Sequence, residues 1–231
     1  MALLLKGTKG IFLHVPKTGG SWVNSVLEDN NLIEKRLGVH KHIDIVRLQY
    51  YNRLNFPNLH SSFKSKSAKV FRLVPEDHFI FFFVRHPLTW YESWWKYMSQ
   101  ESMNWKRYGD SMNPWAWHPV SDLNDVRKDD FHTFIESVIE IAPGFVSKLY
   151  SLYQHPSVSF VGKQETLTED LISVLEQLEL PFDRDRLINF GKVNRSVSKE
   201  APQWDPDLKS EILRLEYPAL KQYGYLEVKS Q

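Results

Sequence analysis

The chain contains no cysteine, which removes disulfide staples, thiolate nucleophiles and Cys-ligated metal sites together; the fold must rest on packing, and a reducing compartment suits it. It also lacks a charge excess. Lys plus Arg total 29 against 28 Asp plus Glu, so no global field holds a polyanion such as duplex DNA, and nucleic acid is not an expected partner. Any recognition of phosphate must be local. No apolar run approaches the roughly 18 residues that cross a bilayer, and the opening Met1-Ala2-Leu3-Leu4-Leu5 is too short for a signal-peptide core. Membrane association and export are therefore not expected, and a cytoplasmic location is. There is no internal repeat and no low-complexity tract. His-Glu-x-x-His spacing is absent despite nine histidines, so no metal site is expected.

What is present suffices for a sizeable core: 231 residues, 42% of them hydrophobic, fit one domain over 1–231. Residues 11–15, Ile-Phe-Leu-His-Val, form a short apolar, partly β-branched run ending at a Pro/Gly cluster, which predicts a buried strand entering a tight loop. A helix follows, with Ser21 placed to cap it and Trp22, Val23, Val26 and Leu27 on one side before Asp29-Asn30-Asn31 breaks the pattern. Residues 79–84 are continuously apolar, as in a central strand covered on both faces. Pro87 suits a first helical turn, and residues 90–98 carry that helix on.

Phe131, Phe134, Ile135, Val138 and Ile139 predict an amphipathic helix, and residues 158–161 another strand. Thr166 with Glu169 fits a capping box, and Asp205-Pro206 opens a last helix carrying Leu208, Ile212 and Leu215. Strands alternating with helices predict an α/β fold with a mostly parallel central sheet flanked by helices. Around 99–130, Trp, Asn, Pro and Gly interrupt every period, and a long irregular, Trp-rich excursion is expected there.

Chemistry concentrates at Pro16-Lys17-Thr18-Gly19-Gly20-Ser21. A strand, such a loop and a helix present successive backbone N–H groups to an anion at a positive helix end. The glycines allow close approach, Lys17 adds a charge, and Thr18 and Ser21 add hydroxyl donors. An ordinary glycine turn would contain the same glycines. The nucleotide-triphosphatase order Gly-x-x-x-x-Gly-Lys-Ser/Thr is not present, because Lys17 precedes the paired glycines.

Residues 16–22 resemble the 5′-phosphosulfate loop of the sulfotransferase superfamily, which reads Pro-Lys-Ser/Thr-Gly-Gly/Thr-Thr/Ser and is often followed by Trp. The resemblance implies a three-layer, P-loop-like fold. It also implies adenosine 3′-phosphate 5′-phosphosulfate as donor, adenosine 3′,5′-bisphosphate as product, and no required metal, since the magnesium clamp belongs to the more highly charged phosphoryl case. Lys17, Thr18, Gly19, Gly20 and Ser21 would hold the 5′-phosphosulfate, and Trp22 would stack on adenine or pack as a core residue of the first helix. The family's second motif, an Arg at the end of a central strand with a Ser eight residues later, is matched by Arg85 and Ser93; both would grip the 3′-phosphate.

Weaker similarity covers Phe131 to Val138 and Gly162-Lys163-Gln164-Glu165, where Gln164 replaces the usual Tyr and receives no cofactor role. Lys192-Val193-Asn194-Arg195-Ser196 resembles a late basic loop closing over the nucleotide, which would make Arg195 a donor-binding residue rather than a solvated charge.

In related bacterial and carbohydrate-type members a His after the first helix, often within Lys-His, takes the acceptor proton. Lys41-His42 stands in that place, and imidazole is suited to proton abstraction near neutrality. His40 shares a face with His42 if the segment is extended; His42 is preferred. Lys17 would stabilise the departing bisphosphate. His14 reads as a packed residue within the first strand, and His86 as part of a turn.

The partner implied is a hydroxyl-bearing acceptor, sugars among the candidates. Six tryptophans, Trp90, Trp94, Trp95, Trp105, Trp115 and Trp117, either face such a ring or pack the excursion onto the body. Lys64, Lys66, Lys69 and Arg72 form a basic run that either attracts an acidic acceptor or is a solvated loop face. Two rival functions remain: a nucleotide-dependent phosphotransferase, and a non-catalytic nucleotide- or glycan-binding module.

Overall fold

The computed structural model describes residues 2–38, 40–48, 78–109, 117–127, 130–191 and 202–226. Arg195, Trp115 and the basic run Lys64, Lys66, Lys69 and Arg72 lie outside these residues. Five strands make one open sheet: β1 (Ala2–Leu5), β2 (Gly10–Leu13), β3 (Ile33–Leu37), β4 (Phe79–Val84) and β5 (Val158–Lys163), in the order β3-β1-β2-β4-β5.

The expectation of a mostly parallel sheet is corrected to a mixed one. β2, β4 and β5 run parallel, but β1 is antiparallel to both β2 and β3. The cause is the four-residue link 6–9, in which Gly7 takes φ 65; so short a connection can only reverse the chain, whereas a parallel return needs a dozen residues or more. The link from β2 to β4 contains a helix, α1 (Gly20–Asp29), and returns the chain parallel.

Period-two alternation then sorts the strand residues. Leu3, Leu5, Phe12, Phe81 and Phe83 pack on one face with Val23, Val26 and Leu27 of α1. Ile11, Leu13, Ile80, Phe82 and Val84 pack on the other. That second face meets α2 (Pro87–Met98), α3 (Phe131–Ile141) and α4 (Phe145–Ser151) through Trp90, Phe134 and Val146. The first face also carries α5 (Leu167–Gln177) and α6 (Arg184–Ile188) through Leu171, Leu175 and Leu187. Phe81, Phe82 and Phe83 are each fully buried, and at about 1.5–3 kcal/mol per large apolar side chain they anchor both halves of the core. β4 is interior, as expected, although β2 occupies the middle of the sheet.

Several helix starts differ from expectation. α1 is preceded by Gly19 in the left-handed region, with no side-chain cap, so Ser21 sits within the first turn rather than capping it. Thr166 does precede α5, yet its hydroxyl donates to Asp170 instead of closing a capping box with Glu169. Asp205 caps α7 (Pro206–Leu215) through the N–H groups of Asp207 and Leu208. A further short helix, α8 (Tyr217–Gln222), comes after it.

At the α7–α8 junction Glu216 is fully buried. Its carboxylate accepts from Tyr91 Oη (2.6 Å), the Val146 N–H (2.9 Å), and both the N–H and Oγ of Ser147 (2.7 Å each). It thereby satisfies the orphan amides that open α4 and ties that helix to α2. Among the described tryptophans of the 90–117 region, Trp90 and Trp94 are buried and stacked, Trp95 meets Phe131 and Trp105 meets Phe134, while Trp117 lies under Arg47 and Trp94 also lines the cavity at the strand ends. No helix among the described residues is long and apolar enough to cross a membrane.

Candidate functional site

β2 and β4 are parallel and in register to Leu13↔Phe82, so the chain leaves both strands at the same edge of the sheet. In open α/β sheets the crevice beyond the carboxyl ends of the strands is where ligands bind. A cavity of about 710 Å³ opens there, lined from the 14–22 loop by His14, Lys17, Gly19, Gly20, Ser21 and Trp22, and from β4 and α2 by Arg85 and Ser93. Its size lies within the range of small-molecule sites. Two groups 68 residues apart in sequence thus meet: Nη1 of Arg85 lies 3.5 Å from the Lys17 carbonyl oxygen.

The loop bends through two left-handed residues, Lys17 (φ 64) and Gly19 (φ 87). At Gly20 the requirement is steric: an added Cβ would stand 2.2 Å from Cδ2 of His14. Gly20→Ala must therefore displace either the His14 ring or the start of α1, and a loss of about 1–3 kcal/mol is expected, the range for an overpacked core. Thermal unfolding of the variant measures it, and an unchanged midpoint would show that His14 moves aside freely.

Thr18 is buried and stands behind the wall, its hydroxyl donating to the Val15 carbonyl at 3.0 Å. That single hydroxyl proton is spent inside the turn, leaving the backbone N–H as what Thr18 has to give an anion. Trp22 lines the cavity and meets Phe190 edge-on at 6.2 Å between ring centroids.

The wall is cationic. Among the described residues its ionisable members besides histidine and tyrosine are Lys17, Lys41 and Arg85, with no Asp or Glu. Burial, then the Arg85 and Lys41 charges, pull the Lys17 ammonium down to about 8. Its Nζ rests 4.1 Å from the centroid of the Tyr97 ring, where the ring face offsets part of the desolvation. Lys41 donates to Ser21 Oγ at 3.1 Å, and burial lowers it too. Glu165 and Glu92 act on Arg85 from behind, but no described residue of the wall itself offsets the three cations, which favours an anion in the cavity.

Arg85 is held from behind. Tyr150 Oη accepts the Arg85 N–H at 2.9 Å and donates to the Arg85 carbonyl at 2.7 Å, while Arg85 Nε donates to Thr89 Oγ1 at 3.0 Å. Burial lowers the guanidinium from its ordinary value, against the opposing charge of Glu165; at so high an ordinary value it stays charged. The His86 N–H donates to Glu165 Oε1, and His86 Nδ1 accepts from the Leu88 N–H at the start of α2. His86 shapes the turn, as the sequence suggests.

His42 lies on the cavity wall with Nδ1 3.0 Å from the His14 carbonyl oxygen. A carbonyl only accepts, so Nδ1 carries the proton and Nε2 keeps its lone pair. Burial, then nearby His118, hold His42 well below the usual imidazole value, so it is neutral at neutral pH and able to take a proton. His14 is not inside a strand: it follows the last residue of β2, is buried, and forms part of the wall.

Several wall residues carried no sequence signal. His118, Tyr108, Tyr97 and Gln100 come from α2 and the irregular segment after it. The His118 ring lies 4.5 Å from Tyr108 and 5.1 Å from His42 between centroids. The segments bearing His42 and His118 are fastened together by Arg47, which pairs with the buried Asp44 and lies 3.5 Å over the Trp117 ring. Among the described residues no cluster of three or more His, Asp or Glu is placed to hold a metal ion. Comparison of the chain with models of protein families, with curated proteins and with solved structures gave no match.

Proposed function

We propose that this chain is a sulfotransferase with a three-layer, P-loop-like core, moving a sulfuryl group from adenosine 3′-phosphate 5′-phosphosulfate to an acceptor hydroxyl, sugars among the candidates. The observation that carries this reading is the approach of the Arg85 guanidinium to the Lys17 loop within one cavity whose described wall residues include no carboxylate. Two cationic grips so placed suit a ligand bearing an anionic group at each end.

In this reading the loop amides, Lys17 and Ser21 hold the 5′-phosphosulfate, Trp22 packs on the adenine, and Arg85 with Ser93 grips the 3′-phosphate. His42 Nε2 takes the acceptor proton as the acceptor oxygen bonds to sulfur. The bond from sulfur to the bridging phosphate oxygen breaks, and its electron pair remains on that oxygen beside Lys17. Lys41, bonded to Ser21, adds a second cation next to the reacting group.

Calorimetry with adenosine 3′,5′-bisphosphate, set against ATP with Mg²⁺, tests this. The bisphosphate should bind and ATP should bind much more weakly, because only the bisphosphate has a 3′-phosphate for Arg85; the reverse order favours a phosphotransferase and sinks the proposal. Transfer of labelled sulfate to a mixed panel of hydroxyl acceptors separates the enzyme from a binding module.

The pH dependence has a fixed sign. Free Lys17 is charged below about 8 and neutral above it, and a bound polyanion holds its proton on. Affinity is therefore greatest below that point and falls by up to about tenfold per pH unit above it, the slope for one proton taken up on binding. Measured from pH 7.5 upward, the slope should disappear in Lys17→Ala. A wild-type affinity flat to pH 9.5 would show that Lys17 does not face the ligand.

A further inference from the structure

The acceptor side of the cavity holds two imidazoles whose hydrogen bonds fix them in opposite tautomers. His42 gives its Nδ1 proton to the His14 carbonyl oxygen at 3.0 Å, leaving Nε2 a bare lone pair. His118 does the reverse. Its Nδ1 accepts from the Val120 N–H at 3.4 Å, so the proton of the neutral ring sits on Nε2, which becomes a donor.

Both rings are neutral near pH 7: burial and His118 depress His42, and burial followed by His40 brings His118 down to about 4. The rings stand 5.1 Å apart between centroids at 77°, and no hydrogen bond joins them. Each is tied independently to its own surroundings, His42 through Tyr153 Oη donating to its carbonyl at 2.8 Å and His118 through its contact with Tyr108. One acceptor nitrogen and one donor N–H, on a shared cavity wall, make a complement for a single hydroxyl group, which can donate one hydrogen bond and accept another while keeping a second lone pair free.

Resting on the sulfotransferase reading, we propose that His118 is an acceptor-binding catalytic residue: its Nε2–H donates to the acceptor hydroxyl oxygen while His42 Nε2 receives that hydroxyl's proton, leaving the remaining lone pair for sulfur. The proton moves from acceptor oxygen to His42, and His118 keeps its own. The arrangement selects an alcoholic or phenolic O–H. An ether or ester oxygen, lacking a proton to give, cannot satisfy His42 and His118 together. It also explains the opposed tautomers, since two bases on the same tautomer would leave the oxygen with two acceptors or two donors.

Two measurements decide it. Imidazole ¹⁵N shifts of the free protein, recorded at pH 7.5, should show His42 protonated on Nδ1 and His118 on Nε2; the same tautomer on both rings overturns the proposal whatever the enzyme transfers. His118→Phe keeps a ring against Tyr108 but has no N–H, and His118→Gln keeps a donor. With 4-nitrophenol and methyl glucoside as probe acceptors, kcat/KM should fall about a hundredfold in the Phe variant, the lower end for a lost catalytic hydrogen-bonding group. The Gln variant should recover a good part of that, with bisphosphate affinity unchanged in both. Unchanged kcat/KM in His118→Phe, or a loss shared equally by bisphosphate binding, overturns the role. Failure of the wild-type protein to bind bisphosphate would instead sink the donor assignment and leave the tautomer pair standing.

Discussion

In the sulfuryl transfer proposed for this chain, Lys17→Ala should lower turnover by about two to three orders of magnitude, the cost of removing one preorganised donor from developing charge. The expectation follows from where the ammonium sits: on the cavity wall beside Arg85 and Lys41, with Tyr97 beneath it. Its charge matters most when the bridging oxygen takes up the electron pair, so single-turnover rates should fall more than bisphosphate affinity does. Lys17→Arg retains charge in a different geometry and should recover only part of the rate. Near-normal turnover in the alanine variant would remove Lys17 from the chemistry.

The largest effect on stability is expected far from the loop. Glu216→Ala leaves the Tyr91 hydroxyl, the Val146 and Ser147 amides and the Ser147 hydroxyl without their shared acceptor in a fully buried place. At about 1–3 kcal/mol for each buried group left unsatisfied, partly offset by rearrangement, a loss of about 3–5 kcal/mol follows. Urea unfolding with an unchanged slope and a lowered midpoint would express it. A loss under 1 kcal/mol would show that water or a neighbouring side chain replaces the carboxylate. Because α4 also carries Tyr150, which grips the Arg85 backbone, the milder Glu216→Gln should weaken bisphosphate binding as well as the fold.

The residues that declare themselves in the sequence are those whose local pattern and tertiary role agree. The run of four phenylalanines and isoleucine in β4 can only be buried on both faces, and Pro87 and Asp205 mark helix starts because their chemistry suits no other position as well. The glycine pair is legible for the same reason: Gly20 tolerates no Cβ and Gly19 adopts a positive φ. β3 is illegible because three of its five residues are exposed charged ones, Glu34, Lys35 and Arg36. β1 is four residues long and gives no period to count. Missing both strands is what made the sheet look mostly parallel.

His118 was hidden differently. It stands in a segment without periodicity, and tertiary contacts, the Arg47 to Trp117 stacking and the packing of Val120 and Leu123 with Ile43 and Ile45 among them, bring that segment to His42. Glu216 resembles any glutamate at a helix end until α2 and α4 close around it. Long-range partnership of this kind leaves no mark within a window of ten or twenty residues.

The hydroxyl of Tyr150 both receives from and gives to the Arg85 peptide, and Thr89 Oγ1 accepts from Arg85 Nε, so backbone and side chain of Arg85 are both held by the fold itself. Ordering a long side chain on binding commonly costs about 0.5–1.5 kcal/mol, and here much of that entropy is already surrendered during folding. For the donor proposed above, capture would then proceed as a rigid encounter, with discrimination exercised in how quickly a poorly matched ligand escapes rather than in how slowly a loop assembles around a good one.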